Sequence, residues 1–153
     1  MIKIRIFKSL WDSMAVRVDA TKAILVRDET ELAQKIKGID SGELFLVVVI
    51  PSSDTSARDN DNILEKETVI VYCVMKVSHS NQDDADVLDC MEITQDCITA
   101  LKNCLLEDAE NCDSEYHTFI KRIDFNRLHT DPEYNYLGCD GYSLSLVFTS
   151  PGF

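Results

Sequence analysis

The sequence predicts an α+β fold, a mixed and mostly antiparallel sheet of about five strands packed against one long and one short helix. Three observations carry that prediction. Leu44 to Ile50 is an unbroken apolar run rich in β-branched residues, and Thr68 to Val77 is a second such run. From about Asp84 to Ala109, apolar residues recur at helical spacing. The length of 153 residues predicts one domain over residues 1–153, because domains cluster near ~100–150 residues. Folding at that size hides roughly 68–70% of the unfolded chain's surface, enough for a core without disulfides or metals.

In chain order, Ile2 to Phe7 and Ala15 to Val18 read as extended pieces, with Ala23 to Val26 as a third. Asp28 followed by Glu31 has the pattern of a helix N-cap with a reciprocal acid. A short helix from Glu29 to Lys37 follows, with Leu32, Ala33 and Ile36 on one side, and Gly38 stops it. Leu44 to Ile50 lacks alternation, which predicts a strand covered on both faces and ended by Pro51. Ser52 to Glu67 carries five acids and little that packs, so it reads as a long loop. Such loops are uncommon in compact domains and tend to be functional.

Ser78 to Asp83 is a predicted turn, and Asp83, Asp84 and Asp86 crowd the start of the long helix, where the dipole favours negative charge. Val87, Met91, Ile98, Leu101 and Leu105 form its stripe, flanked by Cys90, Ile93, Cys97 and Cys104. Phe119 to Leu128 alternates like a strand. A loop with Pro132 and an Asp140-Gly141 turn signal precede the last strand, Tyr142 to Thr149.

Composition excludes some functions. Fifteen Lys and Arg stand against 27 Asp and Glu, a formal net charge of −12. Gripping phosphate backbones requires clustered cations, and the longest basic cluster is Lys121-Arg122 with Arg127 nearby. Direct nucleic-acid binding and anionic membrane surfaces are therefore disfavoured. Leu44 to Ile50 is too short to span a bilayer, and the charged N-terminal stretch lacks the apolar core of a signal peptide, so a cytoplasmic protein is expected. Cys90, Cys97 and Cys104 recur every seven residues. On a helix that spacing is ~10 Å, beyond the ~7 Å a disulfide tolerates, so these thiols read as reduced and buried.

No catalytic, cofactor or metal site is expected. Asp59-Asn60-Asp61-Asn62 suggests a calcium loop, but Ile63 stands where a third ligand belongs and no Gly makes the turn. Asp83, Asp84, Asp86 and Asp89 suggest magnesium, yet capping explains all but Asp89. Cys104, Cys112 and His117 lack a recognised zinc spacing. Cys139 with His117 or His129 is an unconstrained nucleophile pair; Cys139, in a predicted loop, is the one cysteine expected to be exposed. The five glycines include no phosphate-cradling run.

The order of the pieces carries a resemblance. A strand ends in Ile50-Pro51, then come the acidic Asp59-Asn60-Asp61-Asn62 segment, a strand to Val77 and a helix with Thr94-Gln95. Ile123-Asp124-Phe125, Asp131-Pro132-Glu133, Leu137-Gly138-Cys139-Asp140-Gly141-Tyr142 and a Phe148 strand complete it. Over residues 43–150 this resembles small proteins encoded in prophage tail modules, and in layout the tail-terminator and tail-tube group. The resemblance implies a non-enzymatic tail assembly protein that forms ring-type homo-oligomers and docks on other tail proteins. It also implies that the segment between the two central strands packs on the neighbouring subunit. Asp54, Arg58, Asp59, Asp61, Asn62 and Glu65 are the candidate contact residues. The rival reading is an acidic cytoplasmic binding module, such as an immunity protein or a DNA mimic. A mimic gathers its acids into one strip, whereas in this sequence they read as scattered over the 52–67 segment, the helix start and residues 107–115.

Overall fold

The computed structural model describes residues 2–57 and 63–151. Its centre is β2 (Leu44–Val49), in which Phe45, Leu46, Val47 and Val48 are all fully buried. A strand needs apolar residues on both faces only when both faces are covered, and here they are.

β2 pairs antiparallel with β4 (Ile63–Lys76) and parallel with β1 (Ala23–Val26). β4 pairs along most of its length with β6 (Cys139–Pro151), and β6 with β5 (His129–Tyr136). The order is β1-β2-β4-β6-β5, and β3 (Ser52–Ala57) pairs with β4 beyond the end of β2. The sheet is thus mixed and mostly antiparallel, with six strands. β2 and β3 are one bent strand: from Val48 to Ser52 the chain takes one residue more than β4 takes from Val71 to Thr68. Pro51 lies in that bulge, where its missing N–H is tolerated.

One face is covered by α1 (Ile4–Arg17), α3 (Asp84–Glu110) and the short α4 (His117–Ile120). Phe7, Leu10, Trp11 and Met14 of α1 and Ile98, Leu101 and Leu105 of α3 meet Leu46, Val48, Val69, Val71, Leu144 and Leu146 there. The opposite face carries α2 (Glu29–Ile36), whose Leu32 and Ile36 pack over Ile24, Val26, Phe45, Val47 and Val74.

Four sequence expectations are corrected. The expected extended pieces Ile2–Phe7 and Ala15–Val18 fall mostly within α1, as Ile4–Phe7 and Ala15–Arg17. Their Ile-rich alternation is local, while Phe7, Leu10, Trp11 and Met14 form an i, i+3, i+4, i+7 stripe that the core rewards. Ser52 to Glu67 contains β3 and the first part of β4, so outside residues 58–62 it is sheet and not loop. Phe119–Leu128 is α4 and a 3-10 turn, Phe125–Arg127, touching the sheet through an Ile123–Phe148 bridge. The β5–β6 turn falls at Leu137-Gly138, both at positive φ (52° and 83°), and Asp140-Gly141 lies inside β6.

The stripe of α3 is also shifted. Cys90, Thr94, Cys97, Ile98, Leu101 and Leu105 are buried, so two of the cysteines lie in the centre of the contact, while Val87 and Met91 sit at its margin. Small side chains let the helix approach closely where it crosses Gly141.

The expected cap of α2 is present: Asp28 accepts the Glu31 N–H at 2.8 Å. Glu31 reaches back to the Arg27 backbone N–H at 2.9 Å and contacts Lys35 Nζ at 2.7 Å. Hydrogen bonds from Lys35 first, then from the Arg27 backbone and side chain, lower its carboxyl from 4.5 to about 2. A lowered folded value gives stability that is present above the unfolded pKa and lost as pH falls through the folded one. The start of α2 is therefore expected to loosen between about pH 4.5 and pH 2. Side-chain NMR of Glu31 should titrate in that window, and Glu31→Gln should remove the pH dependence of the α2 amide signals.

Candidate interaction surface

Asp54 and Glu65 are the two candidate contact residues that lie among the described residues. Arg58, Asp59, Asp61 and Asn62 lie outside them, as does most of the segment read for calcium. Asp54 pairs across the ladder with Lys66 and Glu65 with Thr55. Successive strand residues point to opposite faces, so Asp54 and Glu65 do not form one surface. Asp54 is exposed, whereas Glu65 is 8% exposed on the face that α1 and α3 cover. Glu67, on the same face, is 2% exposed and accepts the Ile2 N–H at 3.0 Å. The position suits Glu67, because α1, with Lys3 at its N-cap, has neither a side-chain cap nor an acid in its first turn.

The strand between them is unusual for this chain. Asp54, Thr55, Ser56 and Ala57 are consecutive exposed residues, so β3 is open on both faces. Its outer edge has no strand neighbour among the described residues. Sequence reasoning missed this strand because its Ser-Ser-Asp-Thr-Ser-Ala composition lacks apolar alternation; a ladder to β4 makes it a strand. The available signal was the alternation of Glu65, Glu67 and Val69 with Lys66, Thr68 and Ile70, which marks β4 as starting early.

Residues 83–115 hold eleven Asp and Glu against Lys102 alone. Asp84, Asp86, Asp89, Glu92 and Asp96 are exposed along the first half of α3, and Glu107, Glu110, Asp113 and Glu115 are exposed at its other end. At the helix start, Asp83 accepts from the Asp86 N–H and Asp86 from the Asp83 N–H, a reciprocal capping box.

Cys139, His117 and His129, weighed in the sequence as an unconstrained nucleophile pair, each have other surroundings. Cys139 opens β6 and is fully buried, which corrects its reading as an exposed loop thiol. Burial pushes its pKa up to about 11, away from a reactive thiolate. Cys112 is an exposed cysteine instead. His117 Nδ1 lies 3.2 Å from the Asp108 carbonyl, and His129 Nε2 lies 3.0 Å from Asp131 on β5. Among the described residues, no three His, Cys, Asp or Glu side chains gather as metal ligands.

A buried carboxylate that the sequence did not flag organises the end of the sheet opposite β3. Asp140, 2% exposed, accepts the Asn135 N–H at 2.7 Å and lies 2.8 Å from His79 Nε2. It ties the β5–β6 turn to the segment that leads into α3. The ring of Tyr134 meets His79 edge-on at 5.2 Å.

Among the described residues, no helix is long and apolar enough to cross a membrane. No protein-family model and no curated protein sequence matches the chain, so its family is not fixed by comparison.

Proposed function

We propose that this chain is a non-enzymatic assembly protein of the phage tail-module kind, acting in the host cytoplasm and then in the particle. It works by contacting neighbouring subunits and other tail proteins through the ribbon of β3 and the first part of β4. One observation carries the reading. In a sheet whose other central strands are buried, β3 is exposed on both faces and along one edge, so it contributes little to the chain's own core. Ordering such a strand is compensated when assembly buries it.

β4 is central, so deleting the whole 52–67 segment would remove sheet as well as surface. The test is light scattering at low and high concentration on the parent chain and on Thr55→Arg/Ser56→Arg, which alters both faces of β3. A closed oligomer of the 17.3 kDa chain that falls to monomer in the variant, with an unchanged circular dichroism spectrum, is the expected result. A monomer throughout would refute the ring.

The exposed acids along α3 favour a second reading, an acidic module that docks on a basic protein. In that case Asp89→Lys/Glu92→Lys/Asp96→Lys should abolish binding to the basic partner and leave the mass unchanged.

A further inference from the structure

β1, β3 and β5 each present an edge without a strand neighbour among the described residues. Proteins blunt such edges to prevent unwanted pairing. β1 is four residues long, and its Leu25 carbonyl accepts Lys35 Nζ at 2.7 Å. β5 carries Pro132 and an irregular register between Glu133 and Tyr136. β3 has neither proline nor lysine and pairs regularly with β4 from Ser52 to Ala57. An edge of this kind is a template for extended backbone.

Beside it lies an apolar notch of about 290 Å³, walled by Ile2, Ile4, Phe7, Ile50 and Pro51. Its position follows from the sheet. β1 covers β2 as far as the Val26–Val49 pair, and then the chain leaves for α2. The uncovered edge begins there. Ser53 and its cross-strand partner Glu67 line the same notch. A strand added to β3 therefore places the side chain beside Ser53 over the notch. The rim is basic in a chain of net charge −12. Lys3, which stands between the notch residues Ile2 and Ile4, is exposed. Arg27 lines the notch with an exposed guanidinium, its Nε donating to Glu31 at 3.0 Å.

The geometry points to a docking site for an extended segment of another protein, which joins β3 as a further strand. One apolar side chain fills the notch, and flanking carboxylates meet Lys3 and Arg27. Backbone pairing supplies affinity, and the notch and rim supply selectivity. A second copy's β3 does not fit as well, because Ser-Ser-Asp-Thr-Ser-Ala offers no large apolar side chain. This inference rests on the assembly reading and names the chemistry of the partner at the same ribbon.

The test uses an array of octapeptides, each with one central Leu, Ile, Phe or Met in a Thr/Val background, flanked by Glu or by Lys. Binding is followed by amide NMR on the full chain. Glu-flanked peptides should shift the amides of Ser52–Ala57 and Ile2–Phe7, with Lys-flanked versions at least ~10-fold weaker. Methylating alternate peptide amides should abolish binding. Ser53→Arg, which fills the notch, should weaken it by at least ~10-fold while the remaining signals stay in place. The proposal fails if no peptide binds at ~1 mM, if Lys flanks are preferred, or if the shifts map elsewhere. It also fails if the outward-facing amides of β3, those not bonded to β4, are already protected without peptide, which assigns the edge to a second copy. Light scattering on the same samples reports the oligomer separately, so loss of the ring and loss of peptide docking are distinguishable.

Discussion

Gly141→Ala is expected to destabilise the protein by about 4 kcal/mol. A Cβ at that position would stand 2.2 Å from the Cys73 carbonyl oxygen and 3.0 Å from both Val74 Cα and Thr94 Cγ2. The first and second of these atoms are backbone of β4, which is held by ladders on both sides. The third belongs to the fully buried Thr94, whose hydroxyl donates to the Cys90 carbonyl at 2.8 Å. None of them swings aside at low cost. The backbone φ of +155° adds strain for any residue with a side chain. For a domain of this size the expected fall in Tm is roughly 10 °C. Gly138→Ala is the control: φ is +83° and nothing lies within 4 Å, so only backbone strain of about 1 kcal/mol applies. Equal losses in the two variants, read by thermal and guanidinium unfolding, would show that the close approach of the β4 backbone and Thr94 is not the cause.

Asp140→Ala is expected to cost about 3 kcal/mol. It leaves the Asn135 N–H and His79 Nε2 without their acceptor in a site that is 2% exposed. Asn135 (φ 50°) and Leu137 (φ 52°) occupy the left-handed region, which is costly for residues with side chains. The Asp140 contact helps hold them there. Asp140→Asn keeps an acceptor oxygen and should cost only about 1 kcal/mol. Guanidinium unfolding gives the two values, and amide NMR should show changes confined to the β5–β6 turn and residues 78–81. An equal loss in Asp140→Asn and Asp140→Ala would mean that the carboxylate charge, which both remove, and not an acceptor oxygen, which Asn keeps, is what matters.

The elements legible in the sequence share one property: their signal is complete within a few turns or residues. The Leu44–Ile50 run announces a strand covered on both faces because only apolar residues occupy it. The period of α3 and the Asp28–Glu31 cap of α2 are equally local. The candidate contact segment was legible as unusual but not in its structure. Asp54 and Glu65 read as neighbours in one acidic loop, yet they face opposite sides of a ribbon.

By itself, then, the sequence determined the α+β class, the central pair β2 and β4, the last strand, the two helices α2 and α3, and the acidic charge. Apolar periodicity and capping are short-range codes, so they survive without knowledge of partners. Tertiary structure alone decided that α1 is a helix in spite of its β-branched start, that polar Ser52–Ala57 is a strand, and that Gly141 serves close packing against β4 and Thr94 and not a turn. In each case the deciding interaction is with residues distant in the chain: the core under Phe7 and Trp11, the ladder of β4, and the passage of Thr94 over β6. Backbone hydrogen bonds and steric contact depend on what lies alongside, and that is fixed only when the chain has folded.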